Sequence, residues 1–353
     1  MSSLLESHTR EFFLNAVINT RNMSKSLGSS RPTIRADVAA NARPSAFAGI
    51  SALPISVESR TEIVMPRNPA AGGVYFPRRT LFWLNAAMFL FHSMLAAATL
   101  TIGKLDLTIP VFSTNLSFSV TNATGDEDGA PAFELVPVYH RLTTGLPLTW
   151  LVASFFFASA IAHVGNITLW RSYYESNLAM CRVPSRFIEY FISAGIMIAI
   201  LAYNAGIREY TLLIAIVALV STTMPYGYLT ELVAVPCDCD SWTRPASERL
   251  AAYWLGNIPQ CAAWAIILIS FYDQAYTAEA GPPVFVYIII WSELVVFFSF
   301  GAVQLWQQLR PPSSYYKGEI AYQLLSLFAK GLLGLILIFN VLVLSSFDEI
   351  FSD

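Results

Sequence analysis

The stretch of sequence that decides the fold is residues 319–345, EIAYQLLSLFAKGLLGLILIFNVLVLS. A helix needs roughly 20 mostly apolar residues to cross about 30 Å of hydrocarbon, and this stretch is long and apolar enough to do so. Residues 332–344 do not alternate between polar and apolar side chains, as a strand of a membrane barrel would. The stretch therefore predicts a membrane-spanning helix with a lysine, Lys330, near its middle.

Seven segments of the chain qualify as membrane spans by the same criterion. They lie at about 81–103, 147–169, 186–206, 210–231, 250–272, 284–308 and 319–345. Charged residues make up only 13% of the 353 residues, about half the share found in soluble proteins, and the net charge is −3. This composition argues against a disordered chain and against a nucleic-acid-binding protein. We predict an all-α bundle of seven transmembrane helices, embedded in the lipid bilayer as a multi-pass protein.

The distribution of lysine and arginine predicts the orientation, because cytoplasmic loops carry an excess of both. Ten basic residues precede the first span and seven lie in the connections after spans two, four and six, seventeen in all on one side. The other side has three, Lys104, Arg141 and Arg208. The connection after the first span also carries glycosylation sequons at Asn115 and Asn122, as an extracellular segment can. We therefore expect a cytoplasmic N-terminus and an extracellular C-terminus.

The chain divides into three parts in this interpretation. Residues 1–75 are rich in Ser, Ala, Arg and Pro and are expected to form a mostly flexible, basic cytoplasmic tail. Residues 76–345 form the membrane domain, in which the long connection 104–146 lies outside the cell. Residues 346–353 form a short extracellular tail.

Only three ionisable residues lie deep within the predicted spans, and such residues are costly enough to suggest a function. They are Glu189 in span three, Glu293 in span six and Lys330 in span seven. Lys330 lies too deep to reach either membrane face easily. It could form a structural ion pair with Glu189. Alternatively it could form a Schiff base with an aldehyde, with Glu189 as the carboxylate that such a buried cation needs.

Two serines flank this pair at helical spacing. Ser326 lies one turn before Lys330, and Ser193 lies one turn beyond Glu189. Each hydroxyl could hydrogen-bond near the lysine nitrogen or the carboxylate, or it could bond to the backbone of its own helix.

The residues around this pair resemble a known family, the heliorhodopsins. Residues 186–197, RFIEYFISAGIM, resemble the family's signature in span three, and residues 324–330, LLSLFAK, resemble its retinal-lysine segment. Residues 298–304 of span six, FSFGAVQ, are similar too. The resemblance covers about 76–345, and the expected cytoplasmic N-terminus is also the inverted orientation of this family.

The resemblance implies a chromophore and roles for several residues. All-trans retinal would be bound covalently to Lys330, with Glu189 as its counterion. His92 and His163 match the family's histidines in spans one and two, which line a polar cavity, and a protonatable histidine there is a plausible proton acceptor. Ser326 stands where type-1 rhodopsins usually carry an aspartate, so a second carboxylate counterion on span seven is absent. Span three also has no further acid after Glu189, which argues against an efficient proton pump. The resemblance further implies a homodimer and a photoreceptor rather than an enzyme.

An acid at the position of Glu293 departs from the family's pattern. Its helical face continues through Gln304, so a polar stripe could form an ion path through span six. Glu293 could instead be a protonated acid hydrogen-bonded between helices, or a glutamate that faces a dimer interface. A polyene needs a long apolar slot, and five residues are candidates for its walls: Tyr190, Met197, Trp264, Trp291 and Phe297. Cys237 and Cys239 lack a matching second pair, so no metal site is expected.

Three functional hypotheses follow from these residues. In the first, light isomerises retinal, the Schiff-base proton moves, and helix rearrangement signals to an unknown cytoplasmic partner. In the second, the same bundle is a light-gated or light-driven conductor of ions, above all protons, using Glu293 and the polar cavity. In the third, the protein binds no retinal, and its buried lysine and glutamate form a structural pair.

Overall fold

The computed structural model describes residues 63–64, 74–121, 132–142, 145–234, 245–277 and 281–342. The C-terminal segment 346–353 and almost all of the tail 1–75 lie outside the described residues, so the predictions about them stay predictions. Just before the membrane domain, the short strands β1 (Ile63–Val64) and β2 (Val74–Tyr75) pair antiparallel.

Within the described residues, seven helices are long and apolar enough to cross a membrane. They are α1 (Arg78–Ile102), α2 (Leu148–Ile167), α3 (Pro184–Asn204), α4 (Tyr210–Ala234), α5 (Ala251–Thr277), α6 (Val284–Gln308) and α7 (Tyr315–Leu337). A 3₁₀ turn, Pro312–Ser314, precedes α7, and a π-helical turn, Ile338–Leu342, continues it. The predicted all-α bundle of seven transmembrane helices is confirmed. Several helices extend a few residues past the predicted spans, because an apolar window marks only the hydrocarbon section of a helix.

The helices form a ring in which neighbours in sequence are neighbours in space, and α7 closes the ring against α1. We call the face at which α1 begins the proximal face and the opposite one the distal face. Two short helices, Arg171–Ala179 and Ala246–Arg249, lie in the proximal connections before α3 and α5. Because α3 and α7 both begin at the proximal face, polar groups on either helix can meet at matching depths.

The connection between α1 and α2 contains strands that the sequence patterns do not predict. Strand β4 (Phe112–Thr121) pairs antiparallel with β5 (Ala132–Arg141), and β3 (Thr108–Ile109) pairs with β6 (Leu146–Pro147). The backbone N–H of Phe112 donates to the carbonyl of Arg208 at 2.9 Å, which ties the hairpin to the connection between α3 and α4. The hairpin is hard to recognise from sequence because its apolar side chains, such as Phe118, stay exposed instead of marking a buried face.

The packing of α2 against α7 depends on a glycine. Phe156 of α2 is fully buried, and a Cβ atom added at Gly334 of α7 would lie 2.3 Å from Cζ of its ring. Such a distance is far inside van der Waals contact, so only glycine lets the two helices approach this closely. This packing holds the middle of α7, where Lys330 lies, against the rest of the bundle.

We expect Gly334→Ala to destabilise the bundle by about 1–3 kcal/mol, because the added methyl group forces Phe156 or the backbone to move. The measurement is the midpoint of thermal unfolding in detergent. Gly281→Ala is the matched control, since its nearest atom would lie 3.8 Å away and its midpoint should not change. Equal midpoints for the two variants would contradict the packing argument.

Candidate functional site

The structure brings Lys330 of α7 and Glu189 of α3 together in the middle of the bundle. The Nζ atom of Lys330 lies 2.6 Å from Oε1 of Glu189, and both side chains are buried. Lys330 reaches Glu189 although it lies further along its helix, because a helical side chain points back toward the N-terminus. The pair is thus a charge-assisted hydrogen bond enclosed by protein.

Three serines surround this ion pair. Ser326 Oγ lies 2.9 Å from Nζ of Lys330, and Ser193, buried one turn beyond Glu189, lines the neighbouring cavity. The third, Ser159 of α2, donates its hydroxyl to Oε1 of Glu189 at 2.6 Å. Sequence reasoning missed Ser159, because a serine in an apolar helix gives no signal until the packing of α2 against α3 is known.

A cavity of about 120 Å³ lies beside the ion pair, and α3, α4, α5, α6 and α7 all contribute to its walls. Lys330 lines the cavity, as do three of the residues predicted for a retinal pocket: Tyr190, Met197 and Phe297. The ring of Tyr190 lies 5.2 Å from Nζ of Lys330, a cation–π distance.

The two tryptophans predicted for the pocket do not line this cavity. Trp264 is buried behind Phe297, with the two rings edge to face at 5.5 Å. Trp291 is 43% exposed and its ring lies against Tyr272, so the expectation that it borders the pocket is wrong. Trp291 and Phe297 are six residues apart, which places them about 120° apart around α6. The sequence alone predicts this angle, because it follows from the number of residues between the two positions.

The predicted histidines lie together between α1 and α2. The rings of His92 and His163 are nearly parallel, with centroids 5.7 Å apart, and both residues are buried. Nδ1 of His163 lies 2.9 Å from Oδ1 of Asn85, which also accepts a hydrogen bond from Asn166. His163 is one turn from Ser159 on α2, so the histidine pair is next to the group that binds Glu189.

Glu293 and Gln304, the residues of the predicted ion path, lie apart. Glu293 is fully buried, and neither of its carboxyl oxygens has a hydrogen-bond partner within the described residues. Gln304 lines the cavity and donates its amide to the carbonyl of Gly227 at 2.7 Å. Eleven residues separate the two along α6, roughly 17 Å, so they do not form one continuous hydrogen-bonded path.

A second charged cluster, which the sequence does not predict, lies at the proximal end of the bundle. The guanidinium of Arg186 on α3 donates to Glu231 of α4 and to Glu319 of α7, and all three side chains are buried. All three lie at or near the ends of predicted spans, where sequence alone suggests contact with water. Neighbouring helices and the short helix Arg171–Ala179 cover them instead.

Tyr174 connects this cluster to the histidine pair. Its hydroxyl donates to Oε1 of Glu319 at 3.2 Å and also meets the side chain of Asn85. Burial, and then the charge of Glu319, raise the pKa of Tyr174 well above its usual value. The tyrosine therefore stays protonated and acts as a hydrogen-bond donor to Glu319.

Comparison with known proteins gives one family and some distant structural similarities. The sequence model of the heliorhodopsin family matches residues 81–342 of this chain. No curated protein matches the sequence. Among solved structures, the transmembrane domain of Salpingoeca rosetta rhodopsin phosphodiesterase is similar at a TM-score of 0.48 and 12% identity, covering 74% of this chain and 83% of that one. A light-driven proton pump, LR (Mac) from Leptosphaeria maculans, is similar at a TM-score of 0.45 and 12% identity, covering 74% and 95%.

The family match spans α1 to the last described turn of α7 and takes in every residue of the central site. It covers well over half of the chain, whereas the likenesses to solved structures are too distant to add to it. The protein is an integral, multi-pass membrane protein, and the chain belongs to the heliorhodopsin family.

Proposed function

We propose that the protein is a light-absorbing photoreceptor that binds all-trans retinal covalently through Lys330. The observation that carries the proposal is the position of Nζ of Lys330, held 2.6 Å from Glu189 at the wall of a mainly apolar cavity. A lysine in this position can attack an aldehyde, and a carboxylate is in place for the cation that results.

The residues present fit this chromophore. The cavity walls are mainly apolar and aromatic, as a polyene requires, and include Met197, Phe297, Phe298 and Phe300. Retinal, when bound as a Schiff base, would supply visible absorption and a change of shape in light. The fit therefore rests on a reactive amine, an apolar slot and a counterion in one place.

The residues around Lys330 then have distinct tasks. Glu189 stabilises the positive charge at the nitrogen of Lys330, while Ser159 and Ser326 hold the carboxylate and the nitrogen in place. A proton that leaves this nitrogen in light has Glu189 as its nearest acceptor, and the histidine pair lies one turn further along α2. Loss of the ion pair frees α3 and α7 to move relative to each other, and this movement is the signal.

The proposal includes an orientation and partners. The proximal face is cytoplasmic because the sequence places seventeen basic residues on that side and three on the other. Residues 76–345 then form the retinal-binding domain, with the hairpin of β4 and β5 outside the cell. A homodimer is expected from the family, and the cytoplasmic face is where a signalling partner would bind.

Reconstitution of the full chain with all-trans retinal should produce an absorption band in the visible range. Lys330→Ala should abolish the band, because Lys330 supplies the amine among the described residues that line the cavity. Lys317→Ala, a change of an exposed lysine on the same helix, is the control and should leave the band intact. A wild-type protein without a band, or a band that survives in Lys330→Ala, would favour a structural ion pair.

Removing the charge of the counterion should change the colour of the reconstituted protein. Glu189→Gln is expected to shift the absorption maximum to longer wavelength, since the positive charge is then held less tightly at the nitrogen of Lys330. The absorption spectrum measures this directly, with the exposed Glu248→Gln as the control. An unchanged absorption maximum in Glu189→Gln would show that Glu189 is not the counterion.

The second candidate function, ion transport, is favoured by Glu293. Burying an ionised carboxylate without a cation is very costly, so Glu293 is suited to hold and release a proton rather than a fixed charge. Whole-cell voltage clamp under illumination tests this function. A stationary current that reverses with the proton gradient and falls in Glu293→Gln would establish conduction. The absence of current at every voltage would exclude conduction and leave photoreception as the remaining function.

A further inference from the structure

The buried amide of Asn85 on α1 can face His163 in one orientation only. An asparagine side chain ends in an oxygen that accepts hydrogen bonds and a nitrogen that donates them. One of these two atoms lies 2.8 Å from the backbone carbonyl of Leu81, which can only accept, so this atom is the nitrogen. The other atom, 2.9 Å from Nδ1 of His163, is therefore the oxygen.

A second set of contacts, which begins at Trp170, requires the same orientation. The indole Nε1–H of Trp170 can only donate, and it lies 2.9 Å from the side chain of Asn166, so the atom that it meets is Oδ1. The hydroxyl of Ser185 donates to the same oxygen at 3.1 Å. The nitrogen of Asn166 then faces Asn85 at 3.3 Å and needs an acceptor there. Both sets of contacts thus place the oxygen of Asn85 at the same point.

Trp170 is itself held firmly by the end of α2. Its ring lies directly on Gly165, where an added Cβ atom would be 1.9 Å from Cζ2 of the indole. The backbone N–H of Trp170 also donates to the carbonyl of Gly165 at 3.0 Å. The indole therefore cannot turn without unpacking this end of the helix, and it keeps Asn166 in one orientation.

These contacts determine which nitrogen of His163 carries a hydrogen. An amide oxygen only accepts, so Nδ1 of His163 must be the donor in its hydrogen bond with Asn85. A neutral histidine has a single N–H, and its Nε2 then holds the lone pair. Because Nδ1 carries a hydrogen in the neutral ring and in the cationic ring alike, a proton can be gained or lost only at Nε2.

The neighbouring histidine is not constrained in this way. The ring of His92 stacks on that of His163 at 5.7 Å, but neither of its buried nitrogens has a hydrogen-bond partner within the described residues. The described contacts therefore favour neither position for the hydrogen of His92. Of the two histidines, His163 is the one that these contacts prepare to take up a proton at a defined atom.

We propose that Asn85 is a positioning residue, which keeps a hydrogen on Nδ1 of His163 and so makes Nε2 the atom that accepts the proton released in light. The acceptor role rests on the function proposed above. In that step an N–H bond at Lys330 breaks, an N–H bond at Nε2 of His163 forms, and Glu189 is ionised at the end as at the start. One positive charge moves, and the net charge of the buried groups does not change. The hydrogen bond from Nδ1 to Asn85 strengthens when the ring becomes a cation.

The position of the hydrogen can be measured before retinal is added. In the full-length protein labelled with ¹⁵N at histidine, solid-state NMR distinguishes a ring nitrogen that carries a hydrogen from one that does not. The resonances of His163 are identified by their loss in His163→Gln or by their contact with labelled asparagine. The wild type should show a hydrogen on Nδ1 and none on Nε2. A hydrogen on Nε2, in a fraction or in all of the molecules, would overturn the proposal.

Two substitutions of Asn85 test its positioning role by the same measurement. Asn85→Leu removes the acceptor, so His163 should lose its exclusive hydrogen on Nδ1 and show both tautomers. Asn85→Asp keeps an oxygen acceptor and should keep the hydrogen on Nδ1, which also covers the case in which Asn85→Leu does not fold. Asn340→Leu is the matched control, because Asn340 likewise donates to its own helix, to the carbonyl of Ile336 at 2.8 Å, but is exposed at the distal end of the bundle. A wild-type pattern in Asn85→Leu, or loss of the hydrogen on Nδ1 in Asn85→Asp, would contradict the role.

The acceptor role is tested by the same NMR measurement on the retinal-loaded protein, illuminated and trapped at low temperature. A hydrogen should appear on Nε2 of His163 while Nδ1 keeps its own. If Nε2 stays bare after the nitrogen of Lys330 has lost its proton, the acceptor role is overturned and the tautomer in the dark still stands. A wild-type protein without a visible band would overturn the photoreceptor function instead, and the result on the retinal-free protein would be unaffected.

Discussion

A lysine buried in hydrocarbon must be paired with a carboxylate or lose its charge, and the contact between Lys330 and Glu189 meets this constraint. The pairing joins α3 to α7 through their side chains in the interior of the bundle. It also explains the polar groups around it, because Ser159 and Ser326 satisfy hydrogen-bonding positions that neither partner of the ion pair can fill alone. The apolar cavity beside Lys330 is useful for a chromophore only because this amine is held at its wall.

The polar side chains of the bundle are arranged by depth. The ion pair lies in the middle, the histidines lie beside it between α1 and α2, and the Arg186 cluster lies near the proximal face. Hydrogen bonds through Asn85 and Tyr174 connect the histidines to the cluster, so a change of charge at the centre can alter groups near the membrane surface. Close apolar packing, such as that of Phe156 on Gly334, holds the helices that carry these groups together.

Much of the fold and the centre of the site can be predicted from the sequence. Seven apolar segments give seven helices. Lys330 and Glu189 are predicted at compatible depths on spans that begin at the same face, which is why the sequence suffices to pair them. The expectation for Trp291 is wrong because it rests on the aromatic side chain and ignores the rotation of its helix. Counting residues around α6 separates Trp291 from Phe297.

Other features depend on how helices pack and cannot be predicted in this way. Arg186, Glu231 and Glu319 lie at or near the ends of spans, and only their neighbours decide whether such ends are wet or buried. Ser159 is one of many hydroxyl groups in apolar helices, and its contact with Glu189 follows from the closeness of α2 and α3. The distal hairpin is held by backbone hydrogen bonds that leave little trace in a single sequence.

The central claim is that Lys330 carries the chromophore, and chemical trapping tests it most directly. Borohydride reduction of the illuminated, retinal-loaded protein converts the labile link into a stable amine, which mass spectrometry of the digested protein can locate. The account predicts a retinyl group on the peptide that contains Lys330 and on no other peptide. A retinyl group on a different lysine, or its absence from every peptide of a coloured protein, would contradict the account.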